Sequence, residues 1–170
     1  INVLLNINDF ENIKDFIVAN NVKLLVVGPE EPLVNGIYDY MNEALGNQLI
    51  VVGPSANAAQ LEGSKAFSKQ FMQRHNIPTA TYAEFTKDNF EDGKKYITQH
   101  TLPIVLKADG LAAGKGVVIC ETHEQALSEF NSFIKESKFG EASKKVLIEE
   151  FLTGIELSVF VLTDGNHYKI

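Results

Sequence analysis

Two lysines, a cluster of glycines and a pair of carboxylates are the residues of this chain best suited to chemistry. Lys107 interrupts the apolar run Ile104-Val105-Leu106-Lys107-Ala108, which follows Pro103 and reads as a short buried strand. A cation set into such a strand is costly to desolvate unless an anion meets it. The next residues, Asp109-Gly110-Leu111-Ala112-Ala113-Gly114-Lys115-Gly116, carry three glycines and a second lysine and have little to pack a core with. Their backbone is free to reach positive φ and to approach a ligand closely. A strand lysine followed by a glycine-rich, lysine-tipped loop suits a polyphosphate, held by amide dipoles and mobile positive charge. The competing reading is a flexible hairpin with a surface lysine. Further on, Glu149 and Glu150 interrupt the strand Val146-Leu147-Ile148-Glu149-Glu150-Phe151-Leu152. Strand neighbours point to opposite faces, so only one of the two acids can face a given pocket. The pattern fits an edge strand with one solvated acid. It equally fits an adenine slot, where one carboxylate accepts from the exocyclic amine and the strand backbone supplies the ring contacts.

The Walker P-loop is excluded. It needs four residues between its glycines and a hydroxyl residue after the lysine. Here Gly110 and Gly114 enclose three residues, Gly116 follows Lys115, and Val117-Val118-Ile119-Cys120 is a second strand rather than a helix. Strand, glycine loop, strand is a hairpin flap. A further candidate is Lys65, in the first turn of a helix that Ser64 caps and that runs to about His75, with Phe67 and Phe71 inward. A cation is unfavourable beside a helix N-terminus. Lys65 is therefore either a solvated surface residue or part of an anion site that uses both the lysine and the helix N-terminus.

These residues need elements to hold them. Ile1 to Leu5 reads as a strand, and Asn8 with Glu11 as the cap of a helix bearing Phe10, Ile13 and Ile17. Leu24-Leu25-Val26-Val27 and Leu49-Ile50-Val51-Val52 are continuous apolar runs of the kind buried in parallel sheets, and a helix with Leu33, Ile37, Met41 and Leu45 lies between them. That is a βαβ unit, hence α/β. In such sheets ligands sit at the carboxyl ends of strands, where Gly28-Pro29-Glu30 and Gly53-Pro54-Ser55 fall. These corners are either plain tight turns or a substrate edge with Glu30 reaching toward a polar ligand. Ala56 to Gly63 reads as a small-residue connector and places a boundary between residues 1–57 and 58–170. Beyond it come a strand over Thr81 to Phe85, a helix opened by Asp88 and Glu91, and the flap. Thr122 with Gln125 is a capping box leading a stripe of Ala126, Leu127, Phe130, Phe133 and Ile134 that reads as core. Phe139 to Lys145 reads as a polar loop, Leu157 to Leu162 as a strand, and Asp164-Gly165 as a hairpin turn.

Composition narrows the function classes. The 170 residues are 45% apolar and 22% charged, as in ordinary globular proteins, and enough to bury a real core. A net charge of −7 argues against nucleic acid and anionic membranes as partners, though the lysines can still cluster around a nucleotide. No apolar run approaches a membrane span and no signal-peptide pattern is legible. The single cysteine, Cys120, reads as a small core residue in a reducing compartment. Ile1 opens the chain without a methionine, and Tyr168-Lys169-Ile170 reads as the start of another strand. A piece of a longer polypeptide is expected.

The block LPIVLKADGLAAGKGVVI, with GPEEPL and QLEGSKAFSKQFM before it and IEEFLTGIELSVFV after it, resembles the phosphoribosylamine–glycine ligase family of the ATP-grasp superfamily. The likeness runs from about Leu24 to Gly165. It implies the end of a Rossmann-like domain followed by the amino-terminal part of an ATP-grasp fold, with a flap subdomain at about 103–165. It implies ATP with Mg2+ or Mn2+, the substrates glycine and 5-phosphoribosylamine, and a cytoplasmic monomer. By the same resemblance Lys65 and Lys107 contact phosphates, and Gly110, Gly114, Lys115 and Gly116 form a lid. Glu149, Glu150, Phe151 and Leu152 lie at the adenine, Glu156 binds the ribose hydroxyls, and the first domain contributes to the phosphoribosylamine site. Family metal ligands are expected beyond Ile170, so this chain by itself should not be competent. The alternatives are another ATP-grasp carboxylate–amine ligase, disfavoured by the GLAAGKG flap, and a non-catalytic nucleotide-binding module.

Overall fold

The computed structural model describes residues 2–112 and 114–170. Ile1, first residue of the expected strand over residues 1–5, and Ala113 of the glycine loop lie outside them. The rest of that stretch forms no strand, because no described strand pairs with it and a strand exists only through its ladder. Helix α1 (Phe10–Ala19) is capped one residue later than expected, by Asp9, whose carboxylate accepts from Asn12 N–H at 3.2 Å. Asn8 instead donates to Glu31 Oε1 and accepts from Asn35 Nδ2.

Strand β1 (Leu24–Val26), helices α2 (Glu30–Val34) and α3 (Ile37–Leu45), and strand β2 (Ile50–Val52) complete the βαβ unit, with β1 and β2 parallel as expected. Ile17, Ile37, Met41 and Leu49 form its core with Leu25, Val27 and Val51 against them. Burial on both faces of these strands was expected and is not observed. Helices α1 and α3 pack on one face, and Leu24, Val26 and Ile50 are exposed on the other.

Ala56 to Gly63 is not a connector but helix α4 (Ala56–Gly63). Ser55 caps it, accepting from Ala58 N–H, and Asp39 accepts from Ala56 N–H at 2.7 Å. Helix α5 (Lys65–Arg74) follows after one residue. Its buried residues are Ala66 and Lys69, while Phe67 and Phe71 are only half-buried.

Strand β3 (Tyr82–Thr86), helix α6 (Phe90–Gln99), strands β4 (Ile104–Ala108) and β5 (Val117–Cys120), helix α7 (His123–Ile134) and strand β6 (Lys145–Glu150) build the second unit. Its sheet runs β3-β6-β4-β5, antiparallel throughout. The hairpin flap is therefore β4 and β5 with the glycine loop between them. Thr122 caps α7 as the box predicts, accepting from Gln125 N–H at 3.1 Å. Alternation divides the sheet into two faces. Ile104, Leu106, Cys120, Val146 and Ile148 bury one face against Phe90 and Ile97 of α6 and Ala126, Phe130, Phe133 and Ile134 of α7. Burial pushes the Cys120 thiol up to about 11, so it stays protonated as a core residue. The other face carries Val105, Lys107, Val117, Ile119 and Glu149, and α6 and α7 pack on the opposite side from it.

Two further expectations need correction. The loop at 139–145 contains a 3-10 helix, Gly140–Lys144. The strand expected over Leu157–Leu162 is reduced to β7 (Leu162–Thr163), which pairs with β8 (Tyr168–Lys169) around the turn at Asp164-Gly165. Among the described residues nothing pairs with 155–161, and Ile155, Leu157, Val159 and Phe160 are exposed.

Candidate functional site

The open face of the second sheet gathers the charges. Lys107 lies opposite Leu147, and Glu149 opposite Val105, so the two are diagonal neighbours on one face of the ladder. Lys107 Nζ donates to Glu149 Oε2 at 3.0 Å. Lys69 reaches in from α5, and its Nζ lies 3.0 Å from the same oxygen. The Glu149 side chain is only 3% exposed and that of Lys69 only 7%, whereas the Lys107 side chain is 29% exposed. Lys69 also donates to Thr79 Oγ1 at 2.9 Å and Ala80 O at 3.0 Å. Breaking a buried pair typically costs about 3–5 kcal/mol, so Glu149 is held firmly. Its second oxygen, Oε1, is buried with no hydrogen-bond partner among the described residues, an expensive condition for a carboxylate oxygen. Two ammonium groups face one carboxylate, which leaves one positive charge uncompensated at the edge of a cavity.

Lys65 adds a third ammonium one helical turn before Lys69. Its Nζ lies 3.4 Å from Asp109 O and 3.3 Å from Gly110 O. Burial holds its pKa below the ordinary lysine range, and the Asp109 charge works against that shift. The helix N-terminus beside it is already occupied. The Asp109 carboxylate accepts from Ala66 N–H at 2.7 Å and from Ser64 Oγ, while Ser64 Oγ accepts from Phe67 N–H. The amide donors that an outside anion would use here are taken by Asp109 and Ser64, which leaves the Lys65 ammonium as the group that can meet one. The same residue ties the flap to α5, since Lys65 N–H donates to Asp109 O at 3.1 Å.

The loop glycines differ in what they do. Gly114 sits at φ +74, a left-handed conformation that disfavours a side chain. Gly110 and Gly116 allow close approach instead: a Cβ at Gly110 would lie 3.2 Å from Ala142 Cα, and one at Gly116 would lie 2.8 Å from Ala112 Cβ. Ala108 N–H donates to Gly116 O, which closes the root of the loop. Lys115 is exposed at the tip.

Three cavities surround this cluster. One of about 490 Å³ lies between α5 and the sheet, with Lys65, Lys69, Lys107, Glu149 and Leu152 on its wall. A second, about 750 Å³, is floored by Val105, Lys107, Val117, Ile119 and Glu149 and rimmed by residues 150–157, so Glu150, Phe151, Leu152 and Glu156 all border it. A third, about 790 Å³, separates Pro29, Glu30 and Glu31 from Lys65, Gly114 and Gly116 of the second unit. The structure thus brings Lys65, Lys107, Glu149 and the 150–156 segment together, and sets Glu30 across from the loop. Gly110 lies at the root of the loop and borders none of these cavities, nor does Lys115. Glu150 turns away from the lysines, its Oε1 accepting from Thr81 N–H at 2.9 Å. Two residues were missed by sequence reasoning, Lys69 and Asp109. The available signals were the four-residue spacing from Lys65 to Lys69, which places both on one helix face, and the placing of Asp109 at the strand end.

Residues 63–170 match the family described as phosphoribosylglycinamide synthetase, ATP-grasp (A) domain, and residues 2–62 match phosphoribosylglycinamide synthetase, N domain. The chain belongs to the phosphoribosylglycinamide synthetase family. It is 48% identical over 161 residues to the phosphoribosylamine–glycine ligase of Clostridium acetobutylicum, and 45% identical over 166 residues to that of Escherichia coli. These alignments cover 95% and 98% of this chain, which spans 38% of the length of each relative. Among solved structures, the phosphoribosylamine–glycine ligase of Thermotoga maritima aligns with a TM-score of 0.62 at 35% identity, over 69% of this chain and 30% of that one. The N5-carboxyaminoimidazole ribonucleotide synthetase of Thermus thermophilus shares the fold, with a TM-score of 0.62 at 19% identity over 89% of this chain and 36% of that one. The fold is that of the ATP-grasp ligases, preceded by the end of the family's N domain. No described helix is long and apolar enough to cross a membrane.

Proposed function

We propose that this chain forms the nucleotide-clasping part of an ATP-dependent enzyme that joins glycine to 5-phosphoribosylamine. The observation that carries the reading is the Lys69–Glu149–Lys107 cluster: its surplus positive charge opens onto a cavity at the end of strand β6. The relatives' names, phosphoribosylamine–glycine ligase, supply the two groups joined, and the family resemblance implies the steps. Glycine's carboxylate attacks the γ-phosphate of ATP, giving glycyl phosphate and ADP. The amine of 5-phosphoribosylamine then displaces phosphate to give glycinamide ribonucleotide. Such chemistry is mainly positioning and charge neutralisation.

In this reading Lys107 and Lys65 bind phosphate oxygens, each half-exposed toward a cavity. The apolar floor of Val105, Val117 and Ile119 receives the adenine ring, and the backbone of Glu149 to Leu152 hydrogen-bonds its edge. Glu156 takes the ribose hydroxyls. The loop Gly110–Gly116 with Lys115 closes over the reacting groups and excludes water from the acyl phosphate. Glu30 faces the loop across the third cavity, where it fits the amine substrate. Among the described residues no three His, Cys, Asp or Glu side chains converge, and Glu149 and Asp109 are engaged by other donors. The described residues do not fit Mg2+ or Mn2+. The same reading divides the chain at about residue 57, supported by family matches that meet at residues 62 and 63, and makes the protein a cytoplasmic monomer.

ADP release by the intact polypeptide that carries this chain tests the proposal, with ATP, a magnesium salt, glycine and freshly made 5-phosphoribosylamine. ADP formation that requires both glycine and the amine is expected. Release that ignores either substrate would contradict it.

A further inference from the structure

Lys107 and Lys69 contact the same oxygen of Glu149, yet they are not equivalent. Lys69 has three N–H donors and three protein acceptors, Glu149 Oε2 at 3.0 Å, Thr79 Oγ1 at 2.9 Å and Ala80 O at 3.0 Å. Its ammonium is satisfied and more than nine-tenths buried. Lys107 has one acceptor among the described residues, Glu149 Oε2, and its side chain is 29% exposed at the border of two cavities. Glu149 itself is 3% exposed, with Oε1 unpartnered among the described residues. If Lys107 were its only counter-ion, drawing Lys107 toward another anion would strand a bare carboxylate in the interior, which is strongly unfavourable. With Lys69 fixed on the same oxygen, Lys107 can leave and the buried charge stays paired.

We propose that Lys69 is a positioning residue that keeps Glu149 neutralised so that Lys107 is free to engage the phosphates of a polyphosphate ligand. The inference rests on the reading that the cavity receives such a ligand. Lys69 does not touch the ligand and acts only through Glu149. Without it the surplus charge of the cluster disappears and Lys107 is held by Glu149.

The test is calorimetric titration of the intact polypeptide with ATP, inorganic tripolyphosphate and adenosine, for the wild type, Lys69→Met, Glu149→Gln and the double variant, each checked for cooperative thermal unfolding. Lys69→Met is expected to weaken ATP and tripolyphosphate by about tenfold or more, the scale of one charge-assisted hydrogen bond, and to leave adenosine within about threefold. In the Glu149→Gln background, where Lys107 is no longer held, removal of Lys69 should change tripolyphosphate affinity by less than about threefold. Unchanged ATP affinity in Lys69→Met would overturn the proposal, and so would equal losses for ATP and adenosine, the mark of a purely structural role. If Lys69→Met does not fold, Glu149→Gln and the double variant decide alone, and a tenfold or greater loss between them (about 1.4 kcal/mol) would show that Lys69 meets the anion directly and overturn it. Wild-type binding of tripolyphosphate but not ATP, with the loss in Lys69→Met retained, would discard the nucleotide reading and keep this one. A wild type that binds neither discards both.

Discussion

At the Lys65 ammonium two demands oppose each other. Burial holds its pKa below the ordinary lysine range, with Asp109 only partly offsetting the lost hydration. The folded protein therefore releases this proton at lower pH than the unfolded chain does. Between the lowered folded value and the ordinary lysine value the unfolded state binds more protons, so the Lys65 contribution to stability rises with pH across that window. Below it the desolvation of a charged Lys65 is felt in full. Lys65→Met is accordingly expected to raise the midpoint of thermal unfolding at neutral pH, with the gain shrinking as pH rises into the alkaline range. Polyphosphate affinity should fall by about tenfold in the same variant. Thermal scans at neutral and alkaline pH with a parallel titration check both halves. A variant that binds like the wild type would remove Lys65 from the site. Lys69 shows why single residues were only partly legible. A lysine in a helix reads as solvated, and nothing local reveals that Thr79, Ala80 and Glu149 close around it. Lys107 was legible because an apolar strand surrounds it in sequence as well as in space.

At the scale of elements, packing decides what propensity leaves open. Gly93 lies inside α6, where alanine would favour the helix by about 1 kcal/mol. A Cβ there would come within 2.8 Å of Phe130 Cε1 and 3.1 Å of Phe85 Cδ1. Phe130 cannot yield, because it stacks on Phe90 at 5.1 Å and sits edge-on to Phe85. Overpacking of this kind costs about 1–3 kcal/mol, so after the helix gain Gly93→Ala should destabilise the fold by up to about 2 kcal/mol net. Denaturant unfolding measures it, and a more stable variant would show that the α6–α7 interface has slack. The elements read correctly from sequence carried their own signals: the Thr122 box with its aromatic stripe, and the hairpin that rejected a P-loop. Those misread lacked one. The segment Ala56–Gly63 buries only Ala59, so its pattern resembles a linker, and Ser55 was the single cue to a helix. Residues 157–161 have strand composition but no described partner, and composition does not supply a ladder.

For the whole molecule, the sheet of the second unit explains where the candidate site lies. One face is closed by α6 and α7 around a wholly apolar core, and the other collects the lysines, Glu149 and the cavities. Asp109 joins the flap to the N-terminus of α5, so strand lysine, helix lysines and loop share one frame. The fold class was legible from the βαβ spacing and the flap. The exposed face of β1 and β2 was not, because an apolar run does not say how many of its faces are covered. We infer that the open face of this sheet binds the nucleotide through Lys107. The most direct measurement is ATP binding and turnover by the intact polypeptide carrying Lys107→Ala, alongside its thermal unfolding. With Lys69 still pairing Glu149, the expected result is an intact fold, abolished turnover and ATP affinity weakened by about tenfold or more. Tight ATP binding with normal turnover in that variant would contradict it.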